Sequence, residues 1–406
     1  MGEQTVLICG AGIAGPTLAY WLAQHGFRPT VVEHATALRS SGSPVDVRGP
    51  AVNVAERMGV MPRIREARTH TTSISFVNAK GRRVGGVNMR ALQQAAGNRE
   101  VELPRGDLAS ILYQASRDHA EFLFNDTIVA LDEDEHGVGV TFDRAQPRLF
   151  DLVIGADGLH SAVRRVAFGP ESDFAHHMGI YVATATWEST SFTATMRLDG
   201  SIGGGREVVM YNTPGRAVAI HPSRGDAGAF FAFRSPAVPG FDYRNTAQHK
   251  RLLTAAFQDG GWRVPELLKH VQAADDLYFD SVSQVRVRPW WRGRVALLGD
   301  AASCVSLFGD GSSLAMAGAF TFAEALAASP GDHQLAFRRY EAAHRTLVDP
   351  KQRNVTRAAS LLIPATPGGL LARNLATRLW PVGAAAERLR RRVAPILPLR
   401  GEQPRT

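Results

Sequence analysis

The residues best suited to chemistry near the start of the chain are three glycines with a G-x-G-x-x-G spacing. An apolar, β-branched run at residues 5–9 predicts a buried parallel strand before them, and residues 16–25 predict a helix after them. The first glycine permits a tight turn, the second lets the backbone approach a pyrophosphate, and the third lets the helix pack on the strand. The segment therefore predicts a dinucleotide site, formed by Gly10, Gly12, Ala14 and Gly15.

Glu33 indicates which ribose this site accepts. It stands at the end of the second predicted strand, where a carboxylate can accept a hydrogen bond from a ribose 2′-OH. The same carboxylate would repel a 2′-phosphate, so NADP is disfavoured in this position.

Two later segments each place an aspartate directly after an apolar strand. Asp157 follows the strand predicted at residues 151–155, and Asp300 follows the one predicted at residues 294–298. In open α/β sheets, ligands bind at the carboxyl ends of parallel strands. Both aspartates are therefore expected beside the dinucleotide.

The three segments, in this order, resemble the FAD-dependent monooxygenases of the para-hydroxybenzoate hydroxylase-like class, near the tetracycline-modifying and polyketide-tailoring hydroxylases. The resemblance covers roughly residues 5–345 and identifies the dinucleotide as FAD. It implies that Asp300, after Gly299, binds the ribityl chain and that Asp157 serves FAD and NAD(P)H jointly. It further implies FAD contacts for Arg105 at a helix start, and for His34 and Arg39 after the ribose glutamate.

The flavin ring itself is less well defined by the sequence. The resemblance brings the loop of Asp46 and Arg48 near the ring and assigns Asp310, Gly311, Ser312 and Ser313 to the loop and helix start beside it. Ser303 and Leu307 stand where the family commonly has histidine and proline, and Asp310 opposes the negative charge of reduced flavin unless it points away. No catalytic acid–base pair is identified.

The resemblance implies a reaction in which NADH or NADPH transiently reduces FAD. Reaction with molecular oxygen then forms a flavin hydroperoxide, which hydroxylates an electron-rich, aromatic or polyketide-like small molecule. A reductase or dehydrogenase, a halogenase and a non-catalytic flavoprotein are the alternatives. This sequence lacks the tryptophan motif that a halogenase requires. Oxygen consumption that depends on substrate distinguishes a monooxygenase from all three alternatives.

The fold class expected is α/β. A Rossmann-like FAD-binding domain (residues 1–70, 101–172 and 285–345) carries an inserted, mostly antiparallel substrate sheet (71–100 and 173–284) and a C-terminal helical segment (346–406). Five side chains of the sheet are candidates for either its core or the substrate site: Tyr181, Met210, Tyr211, His221 and Phe233.

Charge and cysteine content exclude several classes of function. Ten arginines and two glutamates after residue 352 account for the whole net charge of +8, so the main body is not a nucleic-acid surface. Cys9 and Cys304 form no metal or redox motif. No membrane span or signal peptide is found, which predicts a cytoplasmic protein. A monomer or dimer is expected. Leu371, Leu375 and Leu379 predict an apolar helical stripe docked on the body, with Arg373 and Arg378 in water.

Overall fold

The computed structural model describes residues 4–38, 44–89, 100–188, 207–222, 226–274, 276–305 and 310–377. The strands are β1 (Thr5–Cys9), β2 (Arg28–Glu33), β3 (Val45–Val47), β4 (Ser73–Val77), β5 (Arg83–Asn88), β6 (Val101–Leu103), β7 (Glu121–Phe124), β8 (Ile128–Glu133), β9 (Val138–Phe142), β10 (Arg148–Phe150), β11 (Leu152–Gly155), β12 (Ala175–Glu188), β13 (Glu207–Thr213), β14 (Arg216–Pro222), β15 (Asp226–Arg234), β16 (Leu277–Val285), β17 (Trp291–Arg292) and β18 (Val295–Leu297). The helices are α1 (Ala14–Gln24), α2 (Pro50–Arg57), α3 (Met61–Glu66), α4 (Arg105–Ser116), α5 (Ala162–Ala167), α6 (Thr246–Phe257), α7 (Val264–Ala273), α8 (Asp300–Ser303), α9 (Asp310–Ala327), α10 (His333–Leu362) and α11 (367–377).

A six-stranded sheet carries the dinucleotide motifs. Its strand order is β17-β18-β11-β1-β2-β7, and every neighbouring pair except β17 and β18 is parallel. Its central strands are fully buried apolar runs such as Leu152–Gly155, which is typical of a parallel sheet covered on both faces. The helices α1 and α9 pack together on this layer.

A second, seven-stranded sheet has the order β16-β12-β15-β14-β13-β4-β5. All its pairs are antiparallel except β13 with β4. The helices α6 and α7 cover one face, where Leu253, Phe257 and Leu267 join the apolar core of the sheet. The predicted α/β fold with an inserted, mostly antiparallel sheet is therefore confirmed.

The long helix α10 connects the two sheets. It runs without interruption through the boundary expected near residue 345, and Pro350 lies inside it. Its N-terminal half packs on α9, where Tyr340 meets the Phe322 ring of α9 edge to face at 4.8 Å between ring centroids. At its C-terminal end, Leu362 and Ile363 pack on the seven-stranded sheet. Within the described ranges, no helix combines the length and apolarity that crossing a bilayer requires.

The expected docking of the C-terminal leucine stripe is wrong. Leu371 and Leu375 are 71% and 58% exposed, while Leu379 lies outside the described residues. The opposite side of α11 contacts the sheet: the Arg373 guanidinium lies 3.9 Å from the centroid of the Phe76 ring and donates to Asn212 at 3.0 Å. A planar guanidinium that stacks on a ring and bonds polar partners has displaced the apolar stripe from the interface.

Candidate active site

The candidate site lies along one edge of the six-stranded sheet. The strands β18, β11, β1 and β2 are neighbours and run in the same direction, so their carboxyl ends meet there. The sequence places Gly10, Glu33, Asp157 and Asp300 at or just after those four ends. The topology therefore brings the three motifs together, as sequence analysis expected.

The glycines of the first motif serve different spatial needs. Gly10 adopts a φ of +107°, and a Cβ atom there would lie 2.5 Å from the Ala156 carbonyl oxygen. A Cβ atom at Gly15 would overlap the carbonyl oxygen of Gly10. At Gly12 the same construction meets only open space, which leaves room for a ligand next to the first turn of α1. The N–H groups of that turn favour a phosphate.

Glu33 is held as an ionised acceptor. Its Oε2 accepts from the Ala11 N–H at 2.8 Å, and its Oε1 accepts from the Ala35 N–H at 2.9 Å. His34 Nδ1 lies 2.9 Å from the same Oε1. Burial raises the pKa of Glu33, but the hydrogen bonds from His34, Ala35 and Ala11 outweigh burial and hold that pKa below its ordinary value.

The two carboxylate oxygens of Asp157 have different surroundings. Oδ2 accepts from the N–H groups of Ala162 and Val163, at 2.7 and 3.1 Å, and so caps α5. Oδ1 is buried and has no hydrogen-bond partner among the described residues. Burial raises the pKa of Asp157. A helix-capping role alone leaves the buried Oδ1 atom unexplained.

Asp300 begins α8 beside the other motifs. Burial raises the pKa of this carboxyl, while the positive charge of Arg105 acts in the opposite direction. Gly299, with a φ of +62°, turns the chain there, and a Cβ atom on it would lie 3.3 Å from that of Ala14. Arg105 is exposed at the start of α4, and its predicted contact with FAD stays a prediction.

Two residues of this region were given no role by the sequence. The Arg164 side chain is fully buried and donates from Nη1 to the Ala301 carbonyl at 2.9 Å, which ties the second motif to the third. Tyr278 on β16 shares electrostatic interactions with Arg105 and Asp300. Both residues are identified by contacts between segments that are distant in the chain, and the sequence does not show which segments meet.

The start of α9 meets the loop after β3. The hydroxyls of Ser312 and Ser313 donate to the Asp46 carbonyl, each at 2.7 Å, and the Arg48 N–H donates to Ser313 Oγ at 3.0 Å. The Arg48 guanidinium binds Asp310, which turns that carboxylate toward protein cations. Burial raises the pKa of Asp46 to about 6. Gly311 lies beside Asp300, whereas Arg39 and Leu307 lie outside the described residues.

The seven-stranded sheet separates the five candidate side chains by face. Tyr181, Tyr211 and Phe233 are buried in the cluster that α6 and α7 cover, so the core interpretation holds for these three. Met210 lies on the opposite face, packed with Phe76 and next to Leu362 of α10. His221 is two residues from Ala219 of that face, which puts it on the same side. Burial lowers the pKa of His221 to about 4, so its ring is neutral at pH 7.

The arrangement suits FAD on three independent observations. Gly12 leaves open space at a helix N-terminus, Glu33 is an ionised acceptor one strand away, and Asp157 holds a buried oxygen without a partner. Among the described residues, no cluster of histidine, cysteine, aspartate or glutamate side chains could hold a metal ion. No catalytic acid–base pair stands out.

Comparison with known proteins agrees with this geometry. Residues 3–336 match the family described as "FAD binding domain". A flavin-dependent monooxygenase of Legionella longbeachae is 34% identical over 86% of this chain and 87% of its own length. An uncharacterised protein of Mycobacterium tuberculosis is 38% identical over 86% of this chain and 92% of its own. The crystal structure of the tetracycline destructase Tet(51) superposes with a TM-score of 0.80 at 30% identity, covering 92% of this chain and 95% of that one.

The protein is thus an FAD-binding flavoprotein, and its chain belongs to the family of flavin-dependent monooxygenases. The resemblance to the para-hydroxybenzoate hydroxylase-like class, drawn from three motifs, is confirmed. FAD as the cofactor is confirmed with it.

Proposed function

We propose that FAD lies along the carboxyl edge of the six-stranded sheet. Its pyrophosphate faces Gly12 and the first turn of α1, and Glu33 accepts a hydrogen bond from the adenosine ribose. Asp300 receives the ribityl hydroxyls, with Arg105 beside it. The backbone N–H groups at the start of α9 face the pyrimidine end of the flavin ring.

The activity proposed is an NAD(P)H-consuming hydroxylation. Bound FAD supplies acceptance of a hydride from NADH or NADPH and activation of molecular oxygen, and one oxygen atom enters an electron-rich, aromatic or polyketide-like small molecule. The observation that carries this proposal is the convergence of Glu33, Asp157 and Asp300 at neighbouring strand ends. A solved relative named for the destruction of tetracycline supports the polyketide-like substrate class.

The substrate is proposed to lie between the flavin and the face of the seven-stranded sheet that carries Met210. The other face is closed by α6 and α7, so it offers no room for a ligand next to the flavin. Substrate contacts therefore come from the Met210 side of the strands and from α10, which packs there.

Flavin analysis tests the cofactor placement. The purified protein is expected to be yellow and to release one FAD per chain on heating, because none of the three motifs supplies a recognised covalent attachment residue. Recovery of FMN, or of no flavin from a folded sample supplied with FAD, contradicts the proposal. Glu33→Ala is expected to lower FAD content, and Glu135→Ala, which removes an exposed carboxylate, serves as its matched control.

Oxygen consumption tests the reaction. With FAD saturating, NADH or NADPH oxidation is expected to rise when aromatic or polyketide-like compounds are added, and oxygen consumption is expected to rise with it. Product mass should increase by one oxygen atom. Substrate turnover that proceeds equally well without oxygen would instead identify a reductase or dehydrogenase.

A further inference from the structure

A carboxylate at the start of α9 is held by two cations from distant parts of the chain. Asp310 Oδ1 accepts from Arg48 Nε at 2.9 Å and Nη2 at 2.7 Å, and from Lys351 Nζ at 2.6 Å. Arg48 follows β3, whereas Lys351 lies in the middle of α10. Three elements therefore meet at the first turn of α9, and the Asp310 side chain is only 19% exposed there.

This turn borders the proposed flavin site. Gly311 follows Asp310, and a Cβ atom on Gly311 would lie 3.6 Å from Asp300 Oδ1. The Ser312 and Ser313 hydroxyls fix the turn to the Asp46 carbonyl. Any net charge on the cluster therefore acts on a ligand held by Asp300.

The charges of the cluster balance only when Lys351 is included. Asp46 Oδ2 lies 3.5 Å from Arg48 Nη1, so the ion-paired cluster holds two carboxylates and two cations, and the charges of Glu102 and Glu100 also act on Asp46. Burial raises the pKa of Asp46 to about 6, which leaves it mostly ionised at pH 7. Without Lys351 the cluster would carry a net charge of about −1. That charge would lie at a helix N-terminus, where the helix dipole otherwise favours an anionic ligand.

We propose that Lys351 is a positioning residue of the flavin site: together with Arg48 it neutralises Asp310, so that the first turn of α9 accepts the negative charge of reduced flavin. The inference rests on the proposed placement of FAD. It goes beyond that placement because it gives a role to a residue of α10 that lies outside all three motifs. It also explains how an aspartate is tolerated where the sequence alone indicated a conflict with the reduced ring.

If Lys351 formed only a structural ion pair, its removal would change stability and not the reduction potential of the flavin. Lys351 is 38% exposed, and an exposed pair contributes about 0–1 kcal/mol to stability, equally in both redox states. A residue that balances charge beside the flavin instead changes the ratio of affinities for reduced and oxidised FAD. The reduction potential measures that ratio directly.

The experiment is an anaerobic redox titration of purified holoprotein at pH 7.5, followed by flavin absorbance. In Lys351→Met, the affinity for reduced relative to oxidised FAD is expected to fall about 3- to 10-fold. This corresponds to a potential lower by about 15–30 mV, since tenfold is about 30 mV for a two-electron couple. Lys351→Arg should retain the wild-type potential. The double variant Lys351→Met, Asp310→Asn removes one charge of each sign and should return toward the wild-type value.

Lys250→Met is the matched control, because Lys250 donates to the backbone carbonyls of Gln272 and Ala274 and should leave the potential unchanged. Lys351→Gln replaces the methionine variant if that protein does not fold. An unchanged potential in the single variant overturns the proposal, as does a double variant that falls as far as the single one. A wild-type protein that binds no FAD would overturn the proposed function instead, and flavin content distinguishes the two failures.

Discussion

At the residue scale, the protein shifts the pKa values of the acidic side chains in the site in different directions. Glu33 is stabilised as a carboxylate by hydrogen bonds from two backbone N–H groups and His34. Burial instead raises the pKa values of Asp157 and Asp300, and one oxygen of Asp157 has no partner among the described residues. A buried acceptor without a full set of partners is costly in free energy. A hydroxyl group of a bound ligand would offset that cost at Asp157, which favours Asp157 as a ligand contact.

Asp300→Ala is expected to weaken FAD binding about 10- to 100-fold. A hydrogen bond to a charged group contributes about 1.5–3 kcal/mol, and each 1.4 kcal/mol corresponds to about tenfold in affinity. Titration of the apoprotein with FAD, followed by flavin fluorescence, measures the change. Asp118→Ala, which removes a 79% exposed aspartate, should leave the dissociation constant unaltered. Equal affinity in a folded Asp300→Ala protein would reduce Asp300 to a turn residue.

At the scale of the element, α11 is attached by its polar side. Arg373 stacks on Phe76 and donates to Asn212, and burial lowers its pKa to about 10, which still leaves it charged at pH 7. Thr377 lies against Gly85 of β5, where a Cβ atom would meet its Oγ1 at 2.8 Å. Leu371 and Leu375, which the periodicity assigned to the interface, face away from it.

Arg373→Ala is therefore expected to release α11 from the sheet. The lost cation–π contact and hydrogen bonds correspond to about 1–3 kcal/mol of local stability. Hydrogen exchange of residues 367–377 should become at least about fivefold faster, since each 1.4 kcal/mol is about tenfold. Leu371→Ala is the matched variant on the exposed side and should change exchange little. If the leucine variant loosens the helix and the arginine variant does not, the docking face has been assigned incorrectly.

At the scale of the whole molecule, His160 joins the two large sheets. It follows β11 of the first sheet, and its Nε2 lies 3.1 Å from Asp280 Oδ2 on β16 of the second. Its Nδ1 lies 2.9 Å from Glu171, a carboxylate that also pairs with Arg164. The His160 ring stacks on Tyr243 at 3.6 Å between centroids, and Arg244 lies over that tyrosine ring. Burial alone would lower the pKa of His160, but the hydrogen bonds to Asp280 and Glu171 outweigh it and raise that pKa to about 9.

This pKa predicts how stability depends on pH. Since the folded-state pKa of His160 lies above its unfolded value of about 6.5, its stabilisation is complete below pH 6.5 and is lost as the pH rises toward 9. The loss amounts to at most about 3 kcal/mol, at 1.36 kcal/mol for each pKa unit. Urea unfolding at pH 6.5, 7.5 and 9 should show this decline in wild type and in the control His136→Gln, whose ring is 74% exposed. His160→Gln should not show this decline in the free energy of unfolding. Parallel pH profiles for all three proteins would contradict the proposed contribution of His160 to stability.

The sequence by itself determined the elements whose signals are local. Glycine spacing, buried β-branched runs and helix starts identified β1, α1 and α4 to within two residues at each start, because turn geometry and periodicity act over a few neighbours. The family and the cofactor followed from the order of three motifs, and the inserted antiparallel sheet followed from alternating apolar patterns. Those motifs also predict that Asp157 and Asp300 follow strands at one edge of the sheet, since parallel strands share a carboxyl edge whatever their order.

Only the tertiary structure decided which distant side chains meet. Three contacts join residues that are 41 to 137 positions apart in the chain, and no local pattern encodes them. They are Arg164 with the Ala301 carbonyl, Lys351 with Asp310, and His160 with Asp280. The tertiary structure also decided which face of each element is buried. Periodicity shows that Leu371 and Leu375 share a face, and that Tyr211 and Met210 do not, but it does not show which neighbour each face meets. That outcome depends on competition among all surfaces of the folded chain, in which a stacked arginine replaced a leucine stripe.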